Sequence, residues 1–345
     1  MSRFMQMRPS WGETRSSGPI RSSGEMPGLR NPSRLIPPCS TPRKSASKPK
    51  SMPGSLEDLI GNTPLVRSRK LVENPDVALY FKLEGQNPGG SVKDRAALNM
   101  IRSMLSRGEI GPETRLIEAT SGNTGIALAM IARLYNLDLE LVMPANATAE
   151  RVQTMRAYGA KVTLTPQDVG IEGARDYAEE KVRDAGYKMF DQFANPDNWK
   201  AHYQTTGPEI WRDTRGAITH FVSSMGTTGT IMGTSAYLKE KNPDIQIVGV
   251  QPDDQASIPG IRKWPQAYLP KIYRPERVDH ILEVTEKEAR DMARRLASEE
   301  GIFAGMSSGG AAAAAVRLAS ELDSGHIVSI VCDRGDRYLS SDLFE

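Results

Sequence analysis

From residue 56 onward, short runs rich in β-branched residues alternate with longer amphipathic stretches, and few architectures accept that order of elements. The runs at 77–82, 115–118, 139–143, 161–164, 220–223, 246–250, 302–304 and 327–332 have the length and composition of strands. Helical stretches fill the gaps. One opens at Ser91, with Asp94 three residues on in a capping-box arrangement, and Val92, Ala96, Met100 and Met104 recur at fourfold spacing. Residues 172–185 and 285–300 are helical with one charged face. No repeat with a period of 20 to 50 residues occurs, which excludes solenoids and propellers. No apolar run approaches the roughly 20 residues of a membrane helix. The expectation is an α/β protein, doubly wound around a mostly parallel sheet.

Three strand-to-helix joints in this pattern are rich in Gly, Ser and Thr: residues 120–125, 226–230 and 305–310. At such a joint the free N–H groups and the positive end of the helix dipole face a ligand, and glycine lets the backbone approach it closely. One such joint is ordinary turn chemistry; three imply a ligand carrying several anionic groups. Gly226, Gly229 and Gly233 have the wrong spacing for a dinucleotide fingerprint, and none of the joints carries the lysine of a P-loop. What remains is a phosphate cup in which Thr227, Thr228 and Thr230 add hydroxyls to backbone donors. A phosphorylated cofactor such as pyridoxal phosphate fits it.

Charge divides the chain. Residues 1–51 hold ten Lys and Arg against Glu13 and Glu25, a net +8, whereas the remainder holds 34 Lys and Arg against 40 Asp and Glu, a net −6. Ser, Pro and Arg dominate the first segment and its few aliphatic residues cannot offset the entropy of ordering it, so it reads as a disordered basic extension. It lacks the aromatic interleaving of a nucleic-acid binder and the amphipathic period of a transit peptide, although organellar targeting and a start at Met52 both stay open. No nucleic-acid or membrane partner is expected. Cys39 and Cys332 cannot form a disulfide framework, which suits a reducing, cytoplasmic setting. His202, His220, His280 and His326 are scattered without metal-ligand spacing, so no metal site is expected.

Pyridoxal phosphate requires a lysine, and Lys93 stands in the first helical turn of Asn87-Pro88-Gly89-Gly90-Ser91-Val92-Lys93-Asp94-Arg95, where a cation opposes the macrodipole. Together with Ile60-Gly61-Asn62-Thr63-Pro64-Leu65, Lys82-Leu83-Glu84-Gly85, residues 118–125 and 226–230, Asp191-Gln192-Phe193, Gly207-Pro208-Glu209-Ile210-Trp211, Ser307-Ser308-Gly309-Gly310 and residues 333–340, this segment resembles the fold-type II pyridoxal-phosphate enzymes. Within them the chain is most similar to the cysteine synthases, in their O-acetylserine sulfhydrylase B form, over nearly all of residues 56–341.

The resemblance implies two doubly wound α/β domains with the cofactor in the cleft between them. Residues 52–86 and 196–345 would form the larger, phosphate-binding domain, and 87–195 the smaller one. Lys93 would be the Schiff-base lysine and proton carrier, Gly226, Thr227, Thr228, Gly229 and Thr230 the phosphate cup, Asn123 the partner of the pyridine 3'-oxygen, and Ser307 that of the ring nitrogen. A neutral hydroxyl there makes the ring a weaker electron sink and favours β-elimination. Thr120, Ser121, Gly122 and Thr124, with Gln192, would hold the substrate carboxylate. Arg262 and Lys263 would meet the sulfur donor; the family has two arginines at these positions, and Lys263 keeps the charge without the planar fork. The implied reaction is β-replacement on O-acetylserine by a homodimer, giving cysteine from sulfide or S-sulfocysteine from thiosulfate. Serine or threonine dehydration and cystathionine synthesis keep the cofactor and change the chemistry. Gly305-x-Ser307-x-Gly309 also matches a hydrolase nucleophile elbow, with Asp323 and His326 following.

Overall fold

The computed structural model describes residues 54–120 and 122–345; the basic extension expected over 1–51 lies outside the described residues. Among the described residues, ten strands and nine α-helices follow in chain order. The strands are β1 (Leu65–Arg67), β2 (Val77–Leu83), β3 (Arg115–Ala119), β4 (Asp138–Pro144), β5 (Lys161–Thr165), β6 (Lys188–Met189), β7 (His220–Ser224), β8 (Gln246–Pro252), β9 (His280–Val284) and β10 (Gly325–Val331). The helices are α1 (Lys93–Ser106), α2 (Asn123–Leu134), α3 (Ala149–Ala157), α4 (Gly170–Ala185), α5 (Pro196–Gln204), α6 (Thr206–Asp213), α7 (Gly229–Lys241), α8 (Glu286–Glu300) and α9 (Met306–Glu321).

The strands form two sheets, both within the unit Met52–Glu345. One has the order β1-β2-β10-β7-β8-β9, parallel except for β1, which pairs antiparallel with β2 at the edge. The other, β5-β4-β3-β6, is parallel throughout. Parallel strands covered by helices on both faces read as unbroken apolar runs. In β4 only Asp138 is exposed, and in β10 only His326 is not fully buried. Each sheet accordingly has two apolar cores: Phe81 and Val250, and Phe221 and Ile330, belong to different clusters of the larger sheet, while Leu141 and Val142 separate in the same way in the smaller one. The buried Glu140 within β4 is met by Lys161 at 2.8 Å, Thr163 at 2.6 Å and Tyr187 at 3.1 Å. At the α8–α9 contact a side chain on Gly309 would lie 2.0 Å from the Ala289 carbonyl, so glycine sets how closely these helices approach.

Two expectations are corrected here. Residues 302–304 form no strand: Gly301 closes α8 in the left-handed conformation, the Ile302 N–H returns to the Leu296 carbonyl, and only Ala304 makes a bridge, to Arg334. Ser91 and Asp94 make no capping box. The Ser91 hydroxyl accepts from the Lys93 N–H at 3.2 Å, and the Asp94 carboxylate turns back to the Gly89 N–H. The box at Thr285 and Glu288 does form, at the start of α8.

Beneath the joints lies a buried ion network that explains several of the sequence motifs. Arg95 contacts Glu84 at 2.7 Å and Glu209 at 2.7 Å, and Lys82 reaches Glu209 at 2.7 Å and the Thr63 carbonyl at 2.6 Å. Burial works against ionisation of Glu209, but the Arg95 guanidinium and Lys82 hold its carboxyl well below the usual range. Asn62, at φ +47°, donates its N–H to the same carboxylate at 2.8 Å. This segment therefore fastens β1 and β2 to α1 and α6.

Candidate active site

The joints after β3 and β7 open onto one cleft of about 250 Å³, at the carboxyl ends of strands from both sheets, where ligands of open α/β sheets bind. After β3 the chain passes Thr120 and Gly122 before α2 begins at Asn123. Glu118, buried at the end of β3, accepts the N–H of Asp191 at 3.1 Å and so holds the 191–192 segment beside this joint. Thr124 Oγ1 then donates to Gln192 Oε1 at 2.8 Å. Burial lifts the Glu118 carboxyl to about 7, with Asp191 adding to the rise against the backbone donors.

The joint after β7 is a cradle of unspent donors. Thr228 adopts φ +69° at the N-cap of α7, and its buried Oγ1 has no partner. The first-turn N–H groups of α7 have no carbonyl within their own helix. Gly229 is required by proximity, because a side chain there would lie 2.1 Å from Asn198 Oδ1. Asn198 Nδ2 donates to the Gln192 carbonyl at 2.7 Å and to Thr227 Oγ1 at 3.1 Å, which ties the two joints together. Behind the cradle, His202 pairs with Thr206 Oγ1 at 2.9 Å through Nδ1 and with Thr230 Oγ1 at 3.4 Å through Nε2. Burial, assisted by the Arg95 charge, pushes its imidazole down to about 3, so the ring adds no cation here.

Lys93, the first residue of α1, lines the cleft with Asn123 and Ser307. Asn123 Nδ2 donates to Asp333 Oδ2 at 2.7 Å and Oδ1 accepts from Arg337; Nδ2 carries a second N–H. Tyr338 donates to the same Asp333 oxygen at 2.8 Å. Ser307 stands at the start of α9, its carbonyl accepting from Ser224 Oγ at 2.6 Å.

Thirteen positions singled out from the sequence thus line one cleft: Lys93, Thr120, Gly122, Asn123, Thr124, Gln192, Gly226, Thr227, Thr228, Gly229, Thr230, Arg262 and Ser307. Ser121 lies outside the described residues. Lys263 is a correction. Its Nζ is held 2.6 Å from Asp254 and 2.6 Å from Glu283, which raises its pKa and fixes it on the outer wall, whereas Arg262 stacks over Trp264 on the cleft side. The sequence reading missed Asn198 and His202, which touch the cradle from behind, and Arg151 and Arg175, which line the cleft. Asn198 follows Asn195-Pro196, an N-cap with proline at the first helical position, so only its helix was signalled. The hydrolase alternative has no geometry: His326 stacks on Tyr80, His202 pairs with Thr206 and Thr230, His220 with Thr219, and His280 with Gln246.

The family described as pyridoxal-phosphate dependent enzyme matches residues 56–333. Cysteine synthase B of Pseudomonas aeruginosa is 58% identical over 291 residues, covering 84% of this chain and 97% of that protein. The chain belongs to the pyridoxal-phosphate dependent enzymes, among the cysteine synthases. Cysteine synthase B of Escherichia coli is 54% identical over 290 residues, 84% of this chain and 96% of that protein. The crystal structure of cysteine synthase from Entamoeba histolytica superposes with a TM-score of 0.81 at 36% identity, covering 87% of this chain and 93% of that one. The cofactor of this family is pyridoxal phosphate, and the cleft fits it: the orphaned Thr228 hydroxyl and the free N–H groups of α7 suit a phosphate, and an amine, Lys93, opens onto the same space.

Proposed function

We propose that this chain catalyses β-replacement on O-acetylserine by a sulfur nucleophile, forming cysteine from sulfide or S-sulfocysteine from thiosulfate. The observation that carries the reading is Lys93 and an unspent phosphate cradle in one cleft of a chain 58% identical to a cysteine synthase B. When bound, the cofactor supplies an electron sink for the charge that develops at the substrate α-carbon. Gly226 to Thr230 would hold its phosphate, Asn123 its 3'-oxygen and Ser307 its ring nitrogen. Residues 120–124 and Gln192 take the substrate carboxylate on main-chain N–H groups and amide donors. Lys93 Nζ would attach the cofactor, and the same amine would remove the α-proton and later return it. The Cβ–O bond to acetate breaks and a Cβ–S bond forms, so O-acetylserine and hydrosulfide give cysteine and acetate.

Two lobes carry these parts, 87–195 around the smaller sheet and 52–86 with 196–345 around the larger. The reading includes a homodimer, which sedimentation equilibrium would test, and a cytoplasmic setting, in keeping with the free thiol of Cys332. The deciding assay incubates the holoenzyme with O-acetylserine and sulfide. Cysteine and acetate should appear one for one. Serine converted to keto acid with no cysteine formed from O-acetylserine would assign the chain to dehydration instead.

A further inference from the structure

Although the chain beyond residue 51 is net acidic, the cleft is lined by Lys93, Arg151, Arg175 and Arg262 against a single carboxylate, Glu172. None of the three arginines has a carboxylate within 4 Å among the described residues. Each lies over an aromatic ring instead. The Arg151 guanidinium carbon is 5.5 Å from the Tyr338 ring centroid, that of Arg175 is 5.3 Å from Phe193, and that of Arg262 is 5.4 Å from Trp264. Phe193 and Trp264 in turn pack edge to face at 5.3 Å. An aromatic support steadies a guanidinium by its flat face and leaves the N–H fork in its plane unused, whereas a carboxylate would occupy the fork. The Nε–H of Arg151 is buried and has no acceptor in the protein.

In the proposed reaction the other anions are already met: the cofactor phosphate falls to the cradle after β7 and the substrate carboxylate to the joint after β3. Three cations on aromatic supports therefore exceed what O-acetylserine and the cofactor require. Hydrosulfide, with one small charge located on the reacting atom itself, has no second anionic group for them to bind. A donor with an oxyanion remote from its nucleophilic sulfur does.

Building on the proposed β-replacement, we propose that Arg151 and Arg175 are specificity-determining residues that act with Arg262 to hold the oxyanion end of a dianionic sulfur donor, of which thiosulfate is the simplest. They come from α3 and α4 of the smaller sheet's layer, while Arg262 follows β8 of the larger sheet. The donor is thus gripped from both sides of the cleft, with its sulfur directed inward toward Lys93. Planar forks bind oxyanions by paired, charge-assisted hydrogen bonds, so each arginine contributes to capture more than to the subsequent chemistry.

The test measures kcat and KM for thiosulfate and for sulfide, both with O-acetylserine, on the holoenzyme and its Arg151→Gln, Arg175→Gln and doubly substituted forms. Each single change should lower kcat/KM for thiosulfate about tenfold, mainly through KM, and the pair about a hundredfold, while the sulfide value moves less than about threefold. Arg→Lys at either position, which keeps the charge and gives up the fork, should recover part of the loss. Lys271→Gln, which removes an exposed cation outside the cleft, should change neither donor. Equal losses with the two donors, or unchanged thiosulfate kinetics, would overturn the assignment, and the Arg→Lys forms and thermal melts separate either result from misfolding. Failure of the unaltered holoenzyme to make cysteine from sulfide would instead remove the β-replacement reading beneath it.

Discussion

Gly229→Ala probes how the two joints are locked together. The new methyl group would sit 2.1 Å from Asn198 Oδ1, far inside contact distance, and the Asn198 side chain must move to admit it. Moving it breaks the 2.7 Å bond to the Gln192 carbonyl and the 3.1 Å bond to Thr227 Oγ1. Crowding of this kind costs about 1–3 kcal/mol and each lost hydrogen bond about 1 kcal/mol. If half of that falls on the cradle, cofactor affinity drops about ten- to seventyfold. Titrating apoenzyme with pyridoxal phosphate by absorbance, alongside thermal melts, reads both parts. Asn198→Ala makes room, so the double variant Gly229→Ala/Asn198→Ala should bind the cofactor no worse than Asn198→Ala alone. Wild-type affinity in Gly229→Ala, or additive losses in the double variant, would refute the coupling.

Four further outcomes follow from the same geometry. Glu118, lifted to about 7 in the fold from 4.5, binds its proton more tightly folded than unfolded, so its contribution to stability is complete below about pH 4.5 and falls away as pH rises to about 7. Wild type minus Glu118→Gln in urea melts across pH 4–8 should decline by a few kcal/mol over that window, and a difference that grows with pH would contradict the assignment. Lys263→Gln should leave thiosulfate kinetics within about twofold of wild type, because its charge is spent on Asp254 and Glu283, whereas Arg262→Gln should lose about tenfold; equal losses in steady-state assays would restore Lys263 to the site. Glu209→Gln removes the carboxylate shared by Arg95 and Lys82 and should cost about 3–5 kcal/mol in chemical denaturation, while a loss under 1 kcal/mol would mean that the network is slack. Removal of residues 1–51 should leave kcat/KM and Tm unchanged, since every cleft-lining residue lies at Val92 or beyond; loss of either would give that segment a structural part.

The parallel core was legible in the sequence because strands buried on both faces carry consecutive apolar residues, as Leu116-Ile117 in β3, Leu141-Val142-Met143 in β4, Phe221-Val222 in β7 and Ile327-Val328 in β10 do. Strands that depend on a neighbour were not: β1 has three residues, β6 has two, and β9 lies exposed at a sheet edge, so none carries an apolar signature of its own. The cleft was legible wherever glycine and hydroxyl residues cluster at a strand-to-helix joint, since few other tasks call for that composition. Residues that support it from other elements were not. Asn198 and His202 lie on α5, about 30 residues before the cradle they touch, and Arg151 and Arg175 sit among other surface charges of α3 and α4. Their local patterns carry no mark of a site, and only tertiary packing gives them a common neighbour. Lys263 failed for the converse reason: adjacency to Arg262 does not fix direction, and two carboxylates from distant segments turn it outward.

Lys93 bears the central claim, as the residue that attaches the cofactor and carries the proton. Borohydride reduction of the holoenzyme, followed by proteolysis and mass spectrometry, should find a phosphopyridoxyl group on the peptide containing Lys93 and on no other lysine. The Lys93→Ala protein, folded and still able to hold pyridoxal phosphate in the cradle, should give no adduct and no turnover. An adduct on a different lysine, or cysteine formation by Lys93→Ala at a rate comparable to wild type, would contradict the account.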